Sequence, residues 1–130
     1  MKAFRSIKTA IKGIATLTVS GNGNFRVSKK AKEVMGLDTA YYDLYGIEID
    51  VDLFGNVRVC KVLMKNNVFA LPVGRSPSGT IRFYSQSARK FILESLELSS
   101  EIPFHKFLLN ENPDQEGEKT LFRLEAVADE

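Results

Sequence analysis

Arg26, Lys29, Lys30 and Lys32 crowd one short stretch of this chain. Guanidinium and ammonium groups at that spacing can neutralise successive phosphates of a nucleic-acid backbone, which is positioning rather than covalent chemistry. Lys12 adds a charge upstream, and Arg75, Arg82 and Arg89 form a second basic series. Ser28 stands between Arg26 and Lys29, where its hydroxyl suits a helix N-cap and the first-turn N–H groups favour an anion. The competing reading of such a run is a solvated helix face. Other reactive side chains are scarce, with one cysteine (Cys60) and one histidine (His105). A disulfide within the chain is excluded, and a structural zinc site lacks its four ligands. A nucleophile system would have only His105 as base, and no G-x-S-x-G surrounds a serine. Cys60, between Val59 and Lys61, reads as a buried small apolar residue, and His105, beside Phe104 and Phe107, as a structural histidine. Asp43, Glu48, Asp50 and Asp52 alternate along a strand without a D-x-D-x-D-G loop, so they read as a solvated edge rather than a Mg²⁺ or Ca²⁺ site. No catalytic residue, metal or cofactor is expected, and the chain reads as a non-enzyme.

Positioning these cations is the task of a single domain, 1–130. The chain has 130 residues, with 44% apolar and 26% charged, the composition of an ordinary globular protein. The net charge of +2 conceals a pattern. Residues 1–36 carry eight bases and one acid, 37–54 five acids, 55–90 seven bases, and 91–130 ten acids and three bases. A near-neutral total of this kind can hide a basic face. No secretory or membrane segment is evident, so a cytoplasmic protein is expected.

The charge alternation has a counterpart in the predicted elements. Ile14–Val19 is rich in β-branched residues and reads as a strand; Ser20–Asn24 is a turn with an Asn-Gly signal, and Phe25–Val27 returns. A helix follows from Ser28, with Ala31, Val34 and Met35 on its apolar face and Gly36 as a left-handed cap. Ile47, Ile49, Val51 and Leu53 share one face of the next strand, a turn at Phe54–Asn56 follows, and Val57–Val62 completes the unit. The second half repeats the order: Val68–Val73, a turn at Gly74–Gly79, Thr80–Phe83, and a helix whose stripe is Ala88, Phe91, Ile92 and Leu96. Phe104–Leu109, a loop over Asn110–Lys119, and Thr120–Val127 complete it. Pro72 marks a strand end or an edge. Arg26 falls opposite Arg82, and Ser28 opposite Ser85. The expected class is mixed α/β, mainly β: two ββαββ repeats, at about 10–62 and 66–127.

The stretch Gly23-Asn-Phe-Arg-Val-Ser-Lys-Lys-Ala-Lys-Glu-Val-Met-Gly-Leu37 resembles the signature of the AbrB family of swapped-hairpin DNA-binding domains, which includes transition-state regulators and MazE-type antitoxin domains. Ile47–Val51 and Asn56–Lys61 resemble the closing strand pair. Ser28 replaces the proline usual in that family, Asp38–Tyr45 is longer than its turn, and the second half lacks the Lys-Lys pair. The resemblance implies a pseudo-twofold swapped-hairpin barrel, or a related double-psi-like barrel. MraZ-type regulators likewise carry two such units per chain. It also implies a monomeric pseudo-dimer or a homodimer, with double-stranded DNA as the partner.

The expected function is therefore DNA binding, as a transcriptional regulator, through Lys12, Arg26, Lys29, Lys30, Lys32, Arg75, Arg82 and Arg89. The alternative is a protein-interaction module, an antitoxin or inhibitor type, docking through the acidic half from Glu94 to Glu130. Tyr41, Tyr42 and Tyr45 lie in an acidic block and read as core or interface residues.

Overall fold

Period-two alternation decides most of this fold. In the computed structural model, which describes residues 14–37, 44–66, 69–75 and 80–127, alternate residues of the strands Thr16–Ser20, Asn24–Val27, Ile81–Tyr84 and Phe104–Leu109 turn inward. Strand β1 (Thr16–Ser20) buries Leu17 and Val19, and β2 (Asn24–Val27) buries Phe25 and Val27. Between them Gly23 adopts a positive φ of 86° and donates its N–H to the Ser20 carbonyl at 3.0 Å. Lys12, Tyr41, Tyr42 and Asp43 lie outside the described residues.

Helix α1 (Lys29–Met35) starts where Ser28 caps it and ends at Gly36, whose φ of 69° is left-handed. The Ser28 hydroxyl oxygen accepts from Ala31 N at 3.1 Å and from Thr16 N at 3.0 Å, so one side chain fastens both the helix start and β1. A proline at this position would supply neither contact.

Strand β3 (Tyr45–Val51) pairs along its whole length with β4 (Val57–Leu63). The connecting turn is held by Asp52, whose carboxylate accepts from Phe54 N and Asn56 N. Leu53, expected to share the apolar face of Ile47 and Ile49, sits in this turn instead, fully exposed. Of the expected strand Val68–Val73, the described residues form β5 (Leu71–Pro72), and β6 (Gly74–Arg75) occupies the first two residues of the expected turn. Pro72 has no N–H to continue a ladder, so β5 ends there. Residues 76–79 lie outside the described residues.

Strand β7 (Ile81–Tyr84) leads to α2 (Gln86–Ser95), capped by Ser85, whose hydroxyl accepts from Ala88 N at 3.0 Å. The buried stripe of α2 is Arg89, Ile92 and Leu93; Phe91, expected inside, is exposed. Strand β8 (Phe104–Leu109) has the expected bounds. The expected loop over Asn110–Lys119 instead holds a short strand, β9 (Asp114–Glu116), which pairs with β10 (Lys119–Ala126).

All pairings are antiparallel, in the order β5-β3-β4-β10-β8-β1-β2-β7-β6. Only Val73 separates β5 from β6 in the chain, so the sheet nearly closes into a barrel, and the fold is mainly β. The main core fills it, from Leu17 and Phe25 to Phe107, Phe122 and Leu124. At the seam, a Cβ on Gly46 would meet Met64 Sδ and come within 2.7 Å of the Leu71 carbonyl oxygen, so only glycine lets β3 and β5 approach. Cys60 is buried in a smaller cluster with Val62 and Leu121, and burial pushes its thiol up to about 11. Among the described residues, no helix is long and apolar enough to cross a membrane.

Candidate nucleic-acid interface

The inward residues of β8, β1, β2 and β7 leave their neighbours on the outer face. Register turns those neighbours into rows. Lys106 faces Thr18, Thr18 faces Arg26, and Arg26 faces Arg82. Beyond Arg82 the partner is Gly74, which carries no side chain and has open space around its Cα. Directly opposed residues on neighbouring strands hold their Cβ atoms roughly 5 Å apart, so Arg26 and Arg82 form a like-charge pair. Both are exposed, and neither has a carboxylate partner among the described residues. Beneath them Phe25 and Phe83 stack with ring centroids 4.5 Å apart, which fixes β2 against β7.

The α1 start lies beside this pair. Arg26, Val27, Ser28, Lys29, Lys32, Thr80 and Ile81 line a depression of about 370 Å³. Three cations around one concavity can neutralise phosphate oxygens, while the row above it offers two more. Lys29 is exposed and Lys32 half-buried; neither has an acidic partner among the described residues. Lys30 is half-buried and does not line the depression. Of the expected contacts, then, Arg26, Lys29, Lys32 and Arg82 come together.

Arg89 is a correction. It is 8% exposed and sits on the inward stripe of α2, one turn before Ile92 and Leu93. Its Nη2 donates to the carbonyls of Ser100 at 3.0 Å and Ile102 at 3.4 Å, which pins the segment entering β8. A guanidinium withdrawn in this way is not available to a phosphate. Lys12 lies outside the described residues. The Arg75 backbone pairs with Ile81 in β6, and its side chain lies outside the described residues.

Sequence reasoning overlooked Lys106, Tyr84 and Phe104. The alternation of Phe104–Leu109 contained the signal: with His105 and Phe107 inside, Phe104 and Lys106 must point outward.

Of the acids expected to form a solvated edge, Glu48 and Asp50 lie on β3 opposite Cys60 and Arg58 of β4, Asp52 lies in the turn that follows, and Asp43 lies outside the described residues. Arg58 is 5% exposed; its Nε and Nη2 each reach Asp50 at 3.0 Å, and its Nη1 reaches Glu116 at 2.7 Å and Asp114 at 3.3 Å. These bonds hold the guanidinium even more firmly protonated than usual. Glu48 pairs with Lys119 and raises that ammonium's pKa. Hydrogen bonds from Asn56 hold the Asp52 carboxyl below the usual carboxylate range. Tyr45, half-buried, carries the Lys61 ammonium 4.6 Å above its ring, and that ammonium also donates to the Gly36 carbonyl. No protein-family model matches the chain, and neither does any curated protein or solved structure.

Proposed function

We propose that this protein binds duplex DNA through the phosphate backbone, in the manner of a transcriptional regulator, using Arg26, Arg82, Lys29 and Lys32. One observation carries the reading: Arg26 and Arg82 face each other across β2 and β7, exposed, with no carboxylate among the described residues to relieve them. Like charges directly opposite destabilise a sheet, so the pair acquires its stabilising partner only when an anion binds. The cations of the neighbouring depression extend that anion site along a backbone.

The pseudo-twofold AbrB-like arrangement belongs to the same proposal, and register supports it. Adding 56 to Thr18 and Arg26 gives Gly74 and Arg82, and both couples are strand partners. Strand pairs from the two halves also alternate around the barrel: β3-β4, β10-β8, β1-β2, then β7-β6. Such interleaving within one chain makes a pseudo-dimer whose two basic strands meet at Arg26 and Arg82.

A salt titration of binding to a labelled duplex, read by fluorescence anisotropy, tests the DNA reading. The log–log slope should be about −0.9 per phosphate neutralised, and Arg26→Ala or Arg82→Ala should reduce it by about one contact each. Absence of association even at low ionic strength refutes the reading. A second reading, a protein-interaction module, is favoured by the exposed Leu53 and Phe54 on the β3–β4 turn, beside Asp114 and Glu116. A protein partner retained at high salt, with no duplex binding, would select it.

A further inference from the structure

We propose that the outer face of β8-β1-β2-β7 takes unpaired bases of a single-stranded nucleic acid, stacking them on Tyr84 and Phe104. This rests on the phosphate-binding reading above and names the strand chemistry the same face recognises.

The argument is one of rows. Phe104 faces Ser20, and Asn24 faces Tyr84. Val19 faces Phe25, which sets Ser20 beside Asn24 at the turn. The result is a row Phe104–Ser20–Asn24–Tyr84 with an aromatic ring at each end and two small polar side chains between. Tyr84 is 60% and Phe104 55% exposed, an unusual state for two large rings on one sheet face. Three strand spacings separate them, roughly 14 Å, which leaves room for an extended strand of a few nucleotides.

The basic row Lys106–Thr18–Arg26–Arg82 runs parallel, two residues further along each strand, roughly 7 Å away. A nucleotide laid across the two rows would put its base on the aromatic row and its phosphate on the basic one. That is the combination single-strand binders use: a cationic track for the backbone and π faces that accept any base. The polar groups between the rings are already ordered, since Asn22 Oδ1 accepts from both Ser20 Oγ and Asn24 Nδ2. Neither row contains a carboxylate; on the β10 side the face is bounded by Glu125, opposite Leu108 and hydrogen-bonded to Asn110. A duplex keeps its bases stacked internally and can use only the basic row, so the aromatic row adds affinity for unpaired bases alone.

Three labelled probes of equal length separate the possibilities by anisotropy: a thymidine 12-mer, an abasic 12-mer with the same phosphates, and a duplex. The thymidine strand should bind at least about tenfold tighter than the abasic strand. Tyr84→Ala and Phe104→Ala should each weaken thymidine-strand binding by about tenfold and leave the abasic strand, the duplex and the salt slope unchanged. Tyr84→Phe should retain the affinity, because the ring face is what stacks. Thermal melts of the two alanine variants, both at exposed positions, confirm that the fold is intact. Equal binding of thymidine and abasic strands, or alanine variants that bind thymidine strands like the wild type, overturns the stacking proposal and leaves the phosphate reading standing. Failure to bind any of the three at low salt overturns the phosphate reading itself.

Discussion

Two arginine pairs face each other across strand boundaries in this barrel, and their surroundings differ completely. Arg58 of β4 is opposite Arg123 of β10, and Arg26 of β2 is opposite Arg82 of β7. The first pair is enclosed by acids: Asp50 grips Arg58 with both carboxylate oxygens, Glu116 and Asp114 take its remaining nitrogen, and Asp114 approaches Arg123 at 3.8 Å. The second pair has no carboxylate among the described residues. The same residue type in the same cross-strand relation is a structural clamp in one place and an open charge in the other. The difference comes from Asp50, the β3 residue opposite Arg58, and from β9, a short strand paired with β10 that brings Asp114 and Glu116 to the pair; Arg26 and Arg82 have Thr18 and Gly74 as their other strand neighbours. Repulsion between like charges is thus cancelled by carboxylates on one side and not, among the described residues, on the other.

Removing the clamp should have the largest effect on stability. Arg58→Ala strands Asp50 and Glu116 and leaves Asp114 only the longer contact to Arg123, and we expect a loss of about 2–3 kcal/mol in urea unfolding, below the cost of a fully buried pair because the three acids are 35%, 36% and 57% exposed. The salt slope of DNA binding should not change. A loss of binding in folded Arg58→Ala would mean that the two pairs are not independent. Charge reversal at the other pair sharpens the contrast. Arg82→Glu sets a carboxylate directly across the strand boundary from Arg26. It should raise stability by roughly 0.5 kcal/mol while reducing duplex affinity at low salt by at least about tenfold. A variant that is less stable yet binds normally would remove the pair from the interface.

The smallest effect concerns pH. Asp52, beside the clamp, has a folded-state pKa held down by Asn56. Its contribution is present above the unfolded carboxylate value, about 4, and is lost as pH falls through the lower folded value. A carboxyl NMR titration should therefore place the Asp52 midpoint below that of an unfolded aspartate, and Asn56→Ala should raise it. An unshifted midpoint would show that the turn hydrogen bonds do not act on the carboxylate.

Local chemistry was readable where it depends on neighbours in sequence. Ser28 and Gly36 bound α1 because a hydroxyl acceptor and a left-handed residue are short-range requirements. Phe104–Leu109 was readable end to end because its buried residues recur at period two. Strand β9 was hidden, since Asp-Gln-Glu has no apolar alternation and its pairing with β10 is what makes it a strand. Arg89 was misread because its charge outweighed its place on the α2 stripe with Ile92. Arg26 and Arg82 could be aligned as counterparts, but their direct opposition depends on a register between distant strands that composition does not encode. The aromatic row was invisible for the same reason.

Among the described strands, the barrel is most thinly closed at Leu71–Arg75. The barrel is fastened there by two strands of two residues each, on either side of Val73. So short a ladder is the first to open, and amide exchange should be fastest at this point of the sheet. Once open, β3 and β7 become free edges, and free edges recruit strands from other chains.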